Sequence, residues 1–371
     1  SGSGKKPLFL KGNALQCSGS YFFLDPKGEL TYSLGGAMEE NGVTVTVIDF
    51  VHFRGHYNPM AYLKTDEDAM KLAYALVFNT KKNPAASSGE NEFWDKSAVM
   101  FLASLILYIL YESPLYERNL NTMMDMILEC KVSEDSYDEN RMDILFGELE
   151  QRDPHHPAVL QYRSFKLGSA KTLSSIMVTA VSNLHMLQSA AFAEMIATDE
   201  MFLPQLGVEK RAIFCVIPDN DDTFNFMVSI LYTQLFDQLF RLADSTPEFH
   251  GTLPVHVRLM MDEFANVATP ENFVKILAVA RSRNISCDII LQNISQIKSK
   301  YKDDWETIIG NCDSLVYLGG NDYSTFEYIS KLLGKQTIRT KGQSIGKGSH
   351  GSSSDSYQVT GRGLMTPDEV R

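Results

Sequence analysis

Two apolar runs, each ending in polar side chains, constrain the fold of this chain more than any other feature. Residues 255–261 lead into the adjacent carboxylates Asp262 and Glu263, and residues 289–291 lead into the amide of Gln292. Ligands of a parallel α/β sheet lie beyond the carboxyl ends of its strands, so we expect these polar groups at one rim. They suit nucleotide hydrolysis, in which one carboxylate binds Mg²⁺, another accepts a proton from water and an amide orients that water.

Length and charge set the broad class of protein. A chain of 371 residues accommodates two domains, or one sheet with a large insertion. The net charge of −12 excludes a generally basic, DNA-coating surface but allows a local basic lining. Five scattered cysteines without a CxxC pair indicate reduced thiols. The longest apolar run, residues 98–110, is shorter than the ~20 residues of a membrane helix, so we expect a buried core helix.

The pattern along the chain alternates between α/β and purely helical. Apolar, β-branched runs predict strands at residues 21–24, 43–50, 212–217, 255–261, 286–291 and 314–318. Helical periodicity dominates in between, which predicts a discontinuous nucleotide-binding domain of residues 1–54 and 191–371 and an inserted all-helical domain of residues 55–190. Residues 341–356, rich in Gly, Ser, Lys and His, predict a flexible loop.

The first six residues fit the second half of the phosphate-loop motif G-x-x-x-x-G-K-[ST]. In that motif the backbone N–H groups of Gly2, Ser3 and Gly4 would wrap the phosphates, and Lys5 would reach the β and γ oxygens. Lys6 stands where the motif has the hydroxyl that binds Mg²⁺. The alternative is a Gly/Ser segment that does not represent the native loop.

Arg281 and Arg283 end a predicted helix, where cations favour the negative pole of the helix dipole. That structural role explains both residues without a catalytic function. Residues 168–172 also resemble a phosphate loop, but no predicted strand precedes them, so we interpret them as a helix N-terminus.

Eight short segments form a pattern more specific than any single motif. They lie at residues 23–29 (FLDPKGE), 57–59 (YNP), 217–219 (IPD), 259–266 (LMMDEFAN), 291–296 (LQNISQ), 309–313 (IGNCD), 318–320 (LGG) and 364–370 (LMTPDEV). In composition and order they resemble the TraG-like coupling proteins of type IV secretion and conjugation.

The resemblance implies a RecA-like P-loop NTPase, an α/β sheet with helices on both faces and an inserted all-α domain. It implies an ATPase that uses ATP and Mg²⁺, is hexameric when active, and forms the cytoplasmic part of an inner-membrane protein whose anchor lies upstream. Such a protein recruits relaxase-bound single-stranded DNA, or effector proteins, through the all-α domain. It works with inner-membrane components of the secretion channel, and the DNA strand lies in the hexamer pore.

The resemblance also implies a role for each candidate residue. Lys5 corresponds to the phosphate lysine, Asp262 to the Mg²⁺ ligand, Glu263 to the acid that polarises water and Gln292 to the sensor. Arg281 corresponds to an arginine finger offered to the neighbouring subunit, so we expect weak hydrolysis by a monomer.

Lys6 departs from the family, which has Thr or Ser there, and it leaves two alternatives open. One is a substrate-receptor coupling protein with weak or no hydrolysis. The other is a DNA translocase of the FtsK/HerA type, outside secretion.

Overall fold

The computed structural model describes residues 4–79, 89–130, 141–219, 221–266, 269–270, 272–345 and 353–371. The chain divides into two compact units. One unit is Leu10–Ile289, and the other combines Ser1–Phe9 with Ile290–Arg371. We call the first the sheet unit and the second the hairpin unit, and describe each by itself.

A five-stranded parallel sheet forms the centre of the sheet unit. Its order is β2-β3-β1-β4-β5, with bounds β1 Ser20–Pro26, β2 Thr44–Asp49, β3 Arg211–Ile217, β4 Val257–Met261 and β5 Ile285–Ile289. All residues of β1 and β3 are buried. Continuous burial of this kind is typical of parallel strands covered on both faces, which is why the sequence shows apolar runs there.

Helices cover both faces of this sheet. They are α1 Lys11–Ala14, α2 Glu29–Glu40, α10 Asn225–Ser245 and α11 Phe273–Ala280. Phe22 of β1 packs on Tyr232 of α10, with 5.1 Å between the ring centroids. Gly35 of α2 lies against Val45 of β2. Val45 is in register with Tyr21, the residue before Phe22 in β1. Because consecutive side chains of a strand point to opposite faces, α2 covers the face opposite to α10. The sheet of the predicted nucleotide-binding fold is therefore present, with its covering helices.

Between β2 and β3 the described residues form helices and no strand. The α-helices are α3 Asp66–Phe78, α4 Gly89–Glu112, α5 Leu120–Glu129, α6 Arg141–Arg152, α7 Pro157–Lys166, α8 Ala170–Leu184 and α9 Ala190–Met195. This agrees with the helical pattern of the sequence. The exact domain bounds, 1–54 with 191–371 and 55–190, stay a prediction.

Helix α4 is the core of this helical region. It extends the apolar run that the sequence showed, and its segment Phe93–Glu112 is long and apolar enough, by length and composition, to cross a membrane. The helix is thus longer than the apolar run of residues 98–110 on which the expectation was based. Of that window, 72% is buried inside the protein, which confirms the expected buried core helix.

The hairpin unit contains short helices and two long antiparallel strands. Its elements are α12 Ile294–Tyr301, α13 Trp305–Gly310, α14 Tyr323–Leu333, β6 Lys335–Ile345, β7 Ser353–Gly363 and α15 Pro367–Val370. The predicted loop at residues 341–356 was wrong where it is described, because β6 and β7 pair there residue by residue. Residues 346–352 lie outside the described residues.

The strand predicted at residues 314–318 was also wrong. This described segment is neither helix nor strand, and Leu315 and Val316 are 54% and 57% exposed. Apolar, β-branched composition favours a strand only when a neighbouring strand pairs with it and covers its side chains. The composition of this segment indicates a propensity to form a strand, but it does not show whether another strand pairs with the segment.

Candidate functional site

Asp262 lies directly beyond the last paired residue of β4, at the carboxyl edge of the sheet. The last pair of the β1–β4 ladder is Leu24 with Met261, so Asp25 and Asp262 are the residues that follow this pair on the two strands. Asp262 is only 4% exposed. A buried carboxylate at this edge lies where parallel α/β sheets bind their ligands.

Asp25 has a structural role that the sequence did not reveal. Its carboxylate accepts the backbone N–H groups of Leu30 and Thr31, at 3.0 and 2.7 Å, and the Thr31 hydroxyl at 2.7 Å. These donors belong to the first turn of α2, where a negative charge complements the helix dipole. The only signal was a carboxylate after an apolar run, which is the same signal that Asp262 gives.

Glu263 occupies a left-handed backbone conformation, with φ of 52°. For a residue with a Cβ this conformation costs about 1–3 kcal/mol and persists only where the surroundings enforce it. Here the Glu263 N–H donates to the Asp262 carboxylate at 3.1 Å, and the next residue, Phe264, is buried against Phe273 with ring centroids 5.1 Å apart. The turn therefore fixes the position of Glu263 relative to Asp262.

Lys5 lies in a π-helical turn, Lys5–Leu10, at the start of the described chain. Its ammonium group donates to the carbonyl oxygen of Leu291 at 2.5 Å. Gly4 precedes it with φ of 75°, and a Cβ there would lie 2.7 Å from Leu8. The structure thus brings the predicted phosphate lysine to the residue just before Gln292. The predicted loop residues Gly2 and Ser3 lie outside the described residues, and Lys6 is half-buried in the same turn.

Gln292 is exposed immediately before the N-terminus of α12. Its backbone N–H donates to the side chain of Gln296 at 3.0 Å, and Asn293 in turn accepts the N–H of Gln296 at 3.0 Å. These reciprocal bonds fix the backbone at the end of the segment that follows β5. The sequence identified the amide but not the capping that holds its backbone.

The two arginines after α11 differ in their exposure to solvent. Arg283 makes a two-pronged ion pair with Asp244, with Nη2 2.8 Å from Oδ2, and its guanidinium lies 4.7 Å from the ring centroid of Phe240. Arg281 is exposed. The structural role proposed from the sequence therefore fits Arg283, whereas Arg281 has the exposure that contact with a second subunit requires.

An ion pair within β4 and β5 was missed at the sequence level. Arg258 of β4 pairs with the carboxylate of Asp288 on β5, with its Nη2 3.1 Å from Oδ1, and donates to the Asn13 side chain at 3.1 Å. One guanidinium thus joins α1 to both strands. In the sequence Arg258 only interrupted an apolar run, and nothing indicated its two partners.

Comparison with known proteins identifies the family. Residues 1–371 match the family described as "Type IV secretory system Conjugative DNA transfer". The chain belongs to this family. It is 26% identical to the conjugal transfer protein TraG of Escherichia coli over 299 residues, which cover 76% of this chain and 46% of TraG. It is 21% identical to VirD4 of Rhizobium radiobacter over 363 residues, 96% of this chain and 50% of VirD4. The chain therefore spans about half the length of these relatives.

Solved structures of a bacterial conjugative coupling protein, TrwB, share the fold. The sulphate complex of TrwBΔN70 matches with a TM-score of 0.66 and 18% identity, covering 100% of this chain and 78% of that one. TrwB in complex with ADP and Mg²⁺ matches with a TM-score of 0.61 and 17% identity, covering 100% and 77%. The predicted RecA-like P-loop NTPase fold is confirmed. Family membership also favours a coupling protein over a translocase outside secretion.

Proposed function

We propose that this chain is the ATP-driven motor region of a type IV secretion coupling protein, which delivers relaxase-bound single-stranded DNA or effector proteins to the secretion channel. The observation that carries the proposal is the buried carboxylate of Asp262 at the end of β4, followed by the strained, fixed Glu263. A strained residue beside a buried carboxylate at this sheet edge is typical of a functional site.

The residues present fit ATP and Mg²⁺. Among the described residues, no three His, Cys, Asp or Glu side chains converge as a metal cluster. Mg²⁺ commonly needs only one or two carboxylates, because substrate phosphates and water complete its octahedral shell. Asp262 would supply that carboxylate, and the match to the phosphate-loop motif assigns Lys5 the positive charge for the phosphates. TrwB has been solved with ADP and Mg²⁺ and with the ATP analogue ADPNP, which supports the same ligands here.

Each remaining residue has a defined task in this proposal. Bound Mg²⁺ would neutralise charge that develops on the phosphates. Glu263 would accept a proton from the attacking water, and the resemblance to the family assigns Gln292 the role of the sensor that orients water. Arg281 would donate to the phosphates bound by an adjacent subunit, so hydrolysis would require assembly, in this family as a hexamer. The helical region of residues 55–190 would recognise the substrate, and the whole protein would act at the inner membrane with other channel components.

Lys6 favours a second candidate function, a substrate receptor with weak ATP hydrolysis. Its ammonium group cannot replace the hydroxyl that other P-loop proteins contribute to Mg²⁺. A receptor that binds nucleotide but hydrolyses it weakly is therefore the second candidate. The substitution Lys6→Thr separates the two, because a motor limited only by this ligand should gain Mg²⁺-dependent hydrolysis.

The first experiment compares two carboxylates that follow different strands of the same sheet. Asp262→Asn should weaken Mg²⁺-dependent binding of a fluorescent ATP analogue by about tenfold, the equivalent of about 1.4 kcal/mol. Asp219→Asn is the matched control, because Asp219 follows β3 but is exposed and paired with Lys27 at 2.8 Å. If the two variants bind the ATP analogue with equal affinity, Asp262 does not contribute to the nucleotide site. Glu263→Gln should keep nucleotide binding and lower hydrolysis about 10²-fold or more.

The second experiment compares two arginines. Arg281→Ala should reduce hydrolysis by the assembled protein by about 10³-fold, as expected of an arginine finger. Arg283→Ala should mainly lower stability, because Arg283 is held by Asp244. If Arg281→Ala hydrolyses ATP as well as the unaltered protein under assembling conditions, Arg281 is only a helix-end cation.

A further inference from the structure

The β6–β7 hairpin exposes most of its side chains on both faces. The described side chains of both strands are exposed, except for the partly covered Ile338, Thr360 and Gly363. A two-stranded hairpin is marginally stable by itself unless further strands extend it or a helix packs on one of its faces. Its surface is therefore available for binding, and its chemistry indicates the ligand.

The alternation of side chains gives the hairpin two unlike faces. Residues at every second position share a face, and the pairing places Arg339 opposite Val359 and Lys341 opposite Tyr357. The face that we call the cationic face therefore carries Lys335, Arg339, Lys341, Tyr357 and Val359. The opposite face carries neutral side chains and one cation, Arg362, whose guanidinium pairs with Glu369 at 2.6 Å.

The charge of the hairpin contrasts with that of the whole chain. β6 and β7 contain four cationic residues and one acidic residue, in a chain of net charge −12. The single acid, Asp355, lies 2.9 Å from Lys341. Both partners are exposed, and such a pair is worth less than about 1 kcal/mol, so a phosphate can readily compete for the lysine.

An aromatic ring lies among these cations. The guanidinium of Arg339 is 4.2 Å from the ring centroid of Tyr357, and Tyr357 is 55% exposed. On the same face Thr337 and Lys335 stand opposite Gly361 and Gly363, which have no side chain to obstruct a ligand. Exposed cations around an aromatic ring suit single-stranded nucleic acid, because phosphates bind the cations and a base stacks on the ring.

We propose that the cationic face of the β6–β7 hairpin binds single-stranded DNA. Lys335, Arg339 and Lys341 contact successive phosphates, and Tyr357 stacks on a base. The inference rests on the proposed function for the identity of the polyanion, since a coupling protein handles a transferred strand. An acidic surface on a second copy of this chain would match the charge but would not use the exposed ring.

The test measures the affinity of the full chain for a fluorescein-labelled oligothymidylate of about 20 nucleotides, by anisotropy over a series of salt concentrations. Lys335→Gln/Arg339→Gln should reduce the slope of log affinity against log salt by about 1.4, or about 0.7 for each lost phosphate contact. Arg362→Gln is the matched control, because it removes a cation from the same hairpin on the opposite face. Its slope should equal that of the unaltered chain.

Two substitutions of the aromatic ring make the test specific. Tyr357→Ala should weaken binding about tenfold, as expected for loss of one base stack, and Tyr357→Phe should restore it. Thermal unfolding of every variant should stay close to that of the unaltered chain, as is usual for substitutions at surface positions. Failure of the unaltered chain to bind the oligonucleotide, or equal losses in the double variant and Arg362→Gln, would overturn the proposal.

Two further measurements separate this inference from competing outcomes. If sedimentation shows that the double variant loses self-association while DNA affinity is unchanged, the face is an interface between copies and the proposal is wrong. Binding of the ATP analogue is measured on the same proteins. Loss of DNA binding with intact nucleotide binding confirms the hairpin proposal, whereas DNA binding without any nucleotide binding contradicts only the proposed motor function.

Discussion

The central sheet and the β6–β7 hairpin are both built from paired strands, but they use their side chains in opposite ways. Every residue of β1 is buried, whereas Tyr357 and Val359 of β7 are 55% and 65% exposed. Burial on both faces makes the sheet a rigid support for Asp262 and Glu263. Exposure leaves the hairpin little packing energy but a free surface for a ligand.

The largest expected difference between the two regions is in packing energy. Phe23 of β1 is fully buried and stacks on Phe214 with ring centroids 4.5 Å apart. Phe23→Ala should lower the free energy of unfolding by about 3–5 kcal/mol, because it leaves a cavity. Tyr357→Ala should change it by no more than about 0.5 kcal/mol, as is usual for surface positions. Urea denaturation measures both, and a large loss for Tyr357→Ala would show that the hairpin is packed in solution.

A smaller difference in the free energy of unfolding is expected between the removal of two arginine ion pairs. Arg258 is mostly buried between β4 and β5, and its removal leaves Asp288 and Asn13 without their donor. Arg258→Gln should cost about 2 kcal/mol, since hydrogen bonds to charged groups contribute about 1.5–3 kcal/mol. Arg362→Gln breaks an exposed pair with Glu369 and should cost about 0.5 kcal/mol.

A double-mutant cycle checks whether the Arg258 effect comes from the pair itself. Asp288→Asn combined with Arg258→Gln should cost less than the sum of the single changes, because the two residues share one interaction. Additive losses would mean that the guanidinium acts mainly through Asn13 or through packing.

The same contrast explains what the sequence could predict. The sheet strands were predictable because burial on both faces demands continuous apolar runs, and the candidate acids followed from where such a run ends. Residues 314–318 have the same apolar composition but belong to neither of the two described sheets, so the same rule failed. The hairpin strands were missed because their side chains need not be apolar, and backbone pairing leaves little trace in composition.

The site was predictable in residue identity but not in local geometry. The left-handed turn at Glu263 is a matter of backbone angles, and the Arg258–Asp288 pair joins residues that are distant in sequence. The contact of Asp25 with the first turn of α2 is local, but it depends on the turn between β1 and α2. Arg281 and Arg283 look equivalent as a sequence pattern. In the structure Arg283 is partly buried and paired with Asp244 of α10, whereas Arg281 is exposed.

The smallest expected difference concerns two carboxyl groups whose pKa values shift in opposite directions. Burial raises the pKa of Asp199 in the sheet unit, although donors such as the Tyr62 hydroxyl, at 2.5 Å, oppose it. In the hairpin unit the backbone N–H and hydroxyl of Thr366, together with Arg362, lower the pKa of Glu369.

These shifts give opposite pH dependences of stability. The stabilisation from Asp199 should be complete below its unfolded pKa of about 3.9 and be lost as the pH rises through its higher folded value. That from Glu369 should be present above about 4.3 and be lost as the pH falls through its lower folded value. The measurement is the difference in melting temperature between the unaltered chain and each variant, Asp199→Asn or Glu369→Gln, from about pH 3 to pH 7. Plotted against pH, this difference should have opposite slopes for the two variants. Because Glu369 is exposed and screened by solvent, its slope should be the smaller. Slopes of the same sign would show that Asp199 gains more from its donors than it loses by burial.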